Sequence, residues 1–186
     1  MSTVTTPRLI TAEEFARMPD PPDGSQQELV KGVIVTMPPP GAPHGRCCMK
    51  IGSRLNVFVE EKKLGNVFCN DTGFVAERAP DSVRGPDVAF WSLERLPEVP
   101  KGYIELAPDL AVEVVSPSDH FGRLRGKIKE YLDRGVRMIW VIDPEDRSVT
   151  VYRTGVLDAY LTENDILSGE DVLPGFNVKA TDLFPT

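Results

Sequence analysis

Between Thr11 and Phe184 the chain alternates segments of helical apolar spacing with short runs of β-forming residues, in the order helix, strands, helix, three or more strands, helix, strands. No such run can bury its apolar face alone. Strands interleaved with helices in this way specify an α/β fold, a mixed central β-sheet flanked by helices. A chain of 186 residues with 41% hydrophobic content suffices for one core, so a single domain spanning residues 1–186 is expected. No run of about 18 apolar residues occurs, and the N-terminal MSTVTTPRLITAEEF lacks the basic, apolar, small-residue succession of a secretory signal. A cytoplasmic protein without membrane contact is the expectation.

The elements can be placed from local signals. Thr11 followed by Glu14 is a capping box for a short helix from about Ala12 to Met18. Apolar stretches at Leu29–Val30 and Val33–Val35 flank Lys31-Gly32 as a hairpin, which puts Glu28 on a strand. Cys48, Ile51, Leu55, Phe58 and Val59 recur at helical spacing between about His44 and Lys63, with Gly65 as the stop. Strands follow at Asn66–Cys69, Gly73–Glu77 and Asp87–Trp91, and another in the apolar run around Glu113. A helix from near Asp119 to Arg134 carries the stripe Phe121, Leu124, Ile128, Tyr131 and Leu132. Arg137–Asp143 is then a buried strand, Ser148–Arg153 with Val156–Leu161 a hairpin around Thr154-Gly155, and a helical turn lies near Ala180–Phe184. The cysteines, Cys47, Cys48 and Cys69, are odd in number and lack CxxC spacing, so they read as reduced thiols rather than disulfide or zinc ligands.

Two acids stand out because each interrupts an apolar strand: Asp87 opens VAFW, and Glu113 lies within LAVEVV. An unpaired carboxylate there is costly. One resolution is structural, with Asp87 capping the turn after Gly85-Pro86 and Glu113 pairing with an arginine. The other is a hard divalent cation shared by the two, and with no histidine or cysteine expected beside them, Mg²⁺ or Mn²⁺ fits better than zinc. Lys127 favours the second. It flanks the apolar stripe one turn before Tyr131, so its stem can pack while its ammonium reaches inward. Two acids with a lysine are the equipment of phosphodiester hydrolysis.

The pieces QELVKGVIVTMPPP, His44 opening the long helix, TGFV, RGPDVAFWS, LAVEVVSPSD, KIKEYLDRGV and MIWVIDP resemble, in the same order, the Uma-two family of restriction-endonuclease-like proteins. The resemblance covers nearly the whole chain and implies the PD-(D/E)xK nuclease fold. It places Asp87 and Glu113 at the two acidic positions as metal ligands. The lysine usual two residues after the second acid is replaced by Val115, and the family's pattern moves the basic role to Lys127. Glu28 matches a further acidic position near the metal. Arg123 and Gly126 stand where acids are common in the family, so details of substrate binding do not transfer. His44 reads as a cap or surface group, and His120 even less as a catalyst.

The net charge of -7 works against a nucleic-acid partner, yet Arg123, Arg125, Lys127, Lys129, Arg134 and Arg137, opposed there only by Glu130 and Asp133, form a local basic strip. The expected activity is a divalent-metal-dependent endonuclease cleaving DNA, with Arg123, Arg125 and Lys129 on the phosphates. The alternative is a catalytically silent interaction module within a larger assembly, favoured by the acidic charge and by Val115. A homodimer is expected because duplex cleavage usually calls for two sites, with the proline-rich Leu93–Leu106 loop and an exposed Trp91 as its patch.

Overall fold

The computed structural model describes residues 8–70, 72–117 and 121–185. In chain order its elements are α1 (Ala12–Phe15), β1 (Gln26–Val30), β2 (Val33–Met37), α2 (Ala42–Lys62), β3 (Gly65–Cys69), β4 (Phe74–Glu77), β5 (Ser82–Arg84), β6 (Val88–Ser92), β7 (Leu110–Val114), α3 (Phe121–Asp133), β8 (Met138–Asp143), β9 (Ser148–Tyr152), β10 (Ala159–Thr162), β11 (Ile166–Ser168) and β12 (Asn177–Lys179), followed by a 3-10 turn at Ala180–Leu183. The central sheet runs β10-β9-β8-β7-β6-β3. Its β7–β8 pair is parallel and bridged by α3, while the other neighbours are antiparallel, so the sheet is mixed as expected.

Alternation along the strands assigns each helix a face. Val88, Phe90, Leu110, Val112 and Val114 pack with Cys47, Ile51, Leu55 and Val59 of α2. Ala89, Trp91 and Ala111 pack with Ile128 and Tyr131 of α3. Side chains of a strand point alternately to its two faces, so Glu113 belongs with Ala111 on the α3 side. This parity decides which helix can reach the acid.

A second sheet, β2-β1-β5-β4, is antiparallel throughout. Its first hairpin turns on Lys31 and Gly32, both at positive φ (50° and 76°), the conformation that matches the twist of a two-residue β-turn. β5 was not foreseen, being only three residues long, and it carries Arg84 to the side of β1. The strands β11 and β12 were also missed, for the same reason.

Several boundaries differ from expectation. α1 keeps its capping box but ends at Phe15 rather than Met18. α2 is stopped by Lys63 in the left-handed region, not by Gly65. Gly65 instead opens β3, where a Cβ would sit 2.0 Å from the Trp91 carbonyl oxygen, so close strand pairing requires glycine there. At the end of α3, Gly135 (φ 88°) donates to the Leu132 carbonyl and Val136 to that of Tyr131, the paired bonds of a glycine-closed helix. Trp91 is fully buried, with its indole N–H donating to the Leu106 carbonyl at 2.9 Å. It lies under the proline-rich loop and cannot belong to a surface patch. No helix among the described residues is long and apolar enough to cross a membrane.

Candidate functional site

The β6–β7 ladder pairs Phe90 with Leu110, Ala89 with Ala111 and Val88 with Val112. One further step in this register sets Asp87 opposite Glu113. The backbone pairing has ended there, and the Asp87 side chain replaces it: Oδ2 accepts the Val114 N–H at 2.7 Å. Its other oxygen, Oδ1, lies 3.1 Å from Nε2 of His44. The Asp87 carboxylate is thus gripped from two sides, by the Val114 N–H and by His44.

Glu113 is held from α3. Tyr131 Oη donates to its Oε1 and Lys127 Nζ to its Oε2, each at 2.9 Å. Lys127 and Tyr131 are one turn apart on the sheet-facing side, and the ammonium lies 5.6 Å from the phenol ring centroid. Lys127 also stands 2.9 Å from Glu28 Oε1 and 3.4 Å from the Gly85 carbonyl oxygen. Across β1 and β5, Glu28 Oε2 receives a hydrogen bond from Arg84 Nη1 at 2.7 Å, and Arg84 continues to Glu130 on α3. A chain of alternating charge therefore runs Glu113, Lys127, Glu28, Arg84, Glu130, joining both sheets to α3.

Electrostatics follow from this order. Burial opposes ionisation of Glu28, but Lys127 and Arg84 outweigh it and hold its carboxyl below the ordinary range. Glu113 goes the other way: burial first, then the negative charges of Asp87 and Glu28, push it up to about 8 against the pull of Lys127. Burial also works against the Lys127 ammonium, yet Glu113 and Glu28 raise it well above its usual value. Lys127 stays charged whichever state Glu113 adopts, because ionised Glu28 is equally near. Burial and the Glu113 charge keep the Tyr131 phenol protonated and donating.

These groups open into a cavity of about 260 Å³ whose lining includes Glu28, His44, Asp87, Glu113, Arg123 and Lys127. Four of the residues expected at the site (Glu28, Asp87, Glu113 and Lys127) thus meet in one place, with Arg123 beside them. Arg125 and Lys129 do not line the cavity; both are exposed on the other side of α3, where Lys129 pairs with Asp133 at 2.5 Å. Asp119 and His120 fall outside the described residues.

Two expectations need correction. His44 is neither a cap nor a surface group, since it is buried and faces Asp87. Nor do the acids stand without histidine or cysteine: His44, Cys48 and Asp87 each offer a ligand atom within 4.8 Å of the others. The spacing of His44 and Cys48 on one helix was the available signal, but only the packing of α2 beside β6 shows where that face points. In the sequence Tyr131 is one more member of the apolar stripe and Arg84 carries no local signal, because the phenol's partner and the strand bearing the guanidinium emerge only in the folded chain.

A mixed sheet of this form, flanked by helices and ending in opposed carboxylates, is restriction-endonuclease-like in architecture. The sequence profile of the Uma2 family, described as "Putative restriction endonuclease", matches residues 12–181, and the chain belongs to that family. Its fold is also similar to the crystal structure of a "putative nuclease belonging to DUF820" from Anabaena variabilis, with a TM-score of 0.79 and 24% identity over 94% of this chain and 97% of the other. No curated protein sequence matches the chain.

Proposed function

We propose that the chain is a divalent-metal-dependent endodeoxyribonuclease, hydrolysing DNA phosphodiester bonds at the cavity between β6, β7 and α3, with Mg²⁺ or Mn²⁺ held by Asp87 and Glu113. The observation that carries this reading is the placement of Lys127 Nζ 2.9 Å from Glu113, which itself stands in register with Asp87. In this reading the ammonium serves in place of a lysine at position 115, which its 2.9 Å contact with Glu113 supports.

The residues fit a hard cation. Their donors are carboxylate oxygens, and the negative charges of Asp87 and Glu28, which add to burial in raising the Glu113 carboxyl, are what a cation would offset. Such an ion supplies Lewis acidity toward a phosphoryl oxygen and toward an attacking water. The protein's own groups do the rest. Tyr131 and Lys127 orient Glu113, and the Val114 N–H and His44 orient Asp87. Lys127 presents fixed positive charge where charge develops on the phosphate. Arg84 holds Glu28, so that Lys127 is anchored without being neutralised by Glu113 alone, and Arg123 offers a phosphate contact at the cavity wall. We retain a homodimer in the proposal for duplex cleavage, although its surface support reduces to Leu93 and Val99, which are exposed on the proline-rich loop.

The test is supercoiled plasmid incubated with wild type, Asp87→Ala and chelator-treated protein. Nicking by wild type alone, dependent on Mg²⁺ or Mn²⁺, is expected. Equal nicking by Asp87→Ala, or none by any form with either ion, would overturn the reading.

A further inference from the structure

We propose that His44, Cys48 and Asp87 form a site for Zn²⁺, and that Zn²⁺ held there displaces the Mg²⁺ or Mn²⁺ of the nuclease. The zinc site stands on its own residues; only the displacement rests on the metal-dependent reading above.

The geometry begins on α2. His44 and Cys48 are four residues apart, so both side chains leave the same side of the helix. The next member of that row, Gly52, faces β6: a Cβ there would lie 3.5 Å from Val88 Cγ2. The row therefore runs along β6 toward Asp87, the residue before Val88. His44 Nε2 lies 3.1 Å from Asp87 Oδ1, and Cys48 Sγ lies 3.5 Å from His44 Nδ1. Among the described residues this is the one group of three or more histidine, cysteine, aspartate or glutamate residues whose ligand atoms, one from each, all come within 4.8 Å of one another.

Without an ion the contacts form a relay with one consistent placement of protons, in which Nε2–H donates to Asp87 and Nδ1 accepts from the thiol. An imidazole binds an ion through one nitrogen, so coordination replaces one of the two contacts and draws the three ligand atoms together. Neighbouring ligands of a tetrahedral ion with bonds of about 2.0–2.3 Å stand about 3.3–3.6 Å apart. A group spanning at most 4.8 Å reaches that spacing by small side-chain rotations.

The donor set selects the ion. Thiolate and imidazole suit Zn²⁺, whereas Mg²⁺ favours oxygen. Binding releases the thiol proton to solvent, and three protein ligands leave a fourth position to water. CxxC spacing is absent because the partners of this thiol are one helical turn away and on another element. All three ligands also line a second cavity of about 450 Å³, which offers the ion an entry path. Asp87 Oδ2 is committed to the Val114 N–H, so Oδ1 is the oxygen with which this acid serves an ion, and Zn²⁺ beside His44 and Cys48 claims it.

The experiment reads the bound ion itself. Co²⁺, a spectroscopic stand-in for Zn²⁺, is expected to give wild type a near-ultraviolet thiolate-to-cobalt charge-transfer band that Zn²⁺ bleaches. Cys48→Ser should abolish the band, whereas Cys69→Ser, at a thiol lining the same cavity, should keep it. His44→Gln and Asp87→Asn should each lower Zn²⁺ affinity by about tenfold or more in competition with a chromophoric chelator. X-ray absorption of the wild-type zinc form needs no variant and should show sulfur at about 2.3 Å beside nitrogen and oxygen ligands. A zinc shell without sulfur, a charge-transfer band that survives Cys48→Ser, or unchanged affinity in His44→Gln would overturn the site. For the displacement, electron paramagnetic resonance should show Mn²⁺ released from wild type at zinc concentrations that leave Cys48→Ser loaded with Mn²⁺. Mn²⁺ retained beside bound zinc would overturn the displacement. Mn²⁺ that never binds would overturn the metal-dependent reading, while the cobalt spectrum still decides the zinc site.

Discussion

The ammonium of Lys127 stands 2.9 Å from a carboxylate oxygen of Glu28 and 2.9 Å from one of Glu113, two acids carried by different sheets. This single side chain on α3 ties the small sheet to the central one at the point where the cavity opens. An ammonium so placed neutralises one acid structurally and remains available to the other functionally. Charge separation of that kind would fail if Arg84 did not hold Glu28 from the far side at 2.7 Å.

Replacing Lys127 with alanine is expected to lower plasmid cleavage by roughly 10²-fold or more while metal affinity changes little, since the lysine stabilises charge but is not a ligand. Cleavage rate and calorimetry on the same preparation separate the two effects. A variant cutting at the wild-type rate would rule out the role given to Lys127.

Arg84 presents a stability question instead. Removing it leaves Glu28 and Glu130 without their shared cation in a largely buried setting, and breaking a buried pair from one side costs about 3–5 kcal/mol. Arg84→Met should show that loss in urea unfolding, and the double variant with Glu28→Gln should recover part of it. A single variant within about 0.5 kcal/mol of wild type would show the network to be unimportant for folding.

The reach of the sequence can be seen by setting Glu113 beside His44. Glu113 was legible because a carboxylate inside LAVEVV has no cheap explanation, and Lys127 because its helix has a clear apolar stripe to be measured against. His44 and Arg84 had no such contrast. His44 lies between Pro43 and Gly45 and Arg84 between Val83 and Gly85, and their partners come from α2 meeting β6 and from a three-residue strand too short to announce itself. Trp91 failed in the opposite direction: next to Ser92 and a proline-rich loop it looked exposed, whereas period-two alternation places it on the α3 face beside Ala89. The order of elements and the mixed sheet were readable because they depend on long periodic segments. The lateral contacts of short elements depend on tertiary packing.

Glu113 also sets a pH dependence. Its carboxyl moves from an ordinary value of 4.5 up to about 8 in the fold, chiefly through burial. Between those values the folded, metal-free protein holds a proton that the unfolded chain has released. Stability should therefore fall as pH rises through this window, with a slope approaching about 1.4 kcal/mol per pH unit from this group. Glu113→Gln, which cannot ionise, should lose that part of the slope. Urea midpoints for both proteins in chelator at pH 5.5 and 7.5 measure the difference, and parallel behaviour would show that Glu113 does not titrate there.

The division of the basic strip between two faces of α3 makes a prediction about DNA. Arg123 and Lys127 are four residues apart and line the cavity, whereas Arg125 and Lys129 project from the other side, and Lys129 is already paired with Asp133. Without divalent ion, a chain of net charge -7 with three acids at the cavity should bind duplex DNA weakly. Ca²⁺ fills oxygen sites but supports this chemistry poorly, so it should allow binding without cleavage. Under those conditions Arg123→Ala is expected to reduce the slope of log affinity against log salt by about 0.9, the value of one phosphate contact, and Lys129→Ala to leave it nearly unchanged. Fluorescence anisotropy with a labelled duplex across a salt series distinguishes them. Equal slope changes in the two variants would mean that DNA lies along the outer face of α3 as well, and a slope altered only by Lys129→Ala would place the duplex away from the cavity altogether.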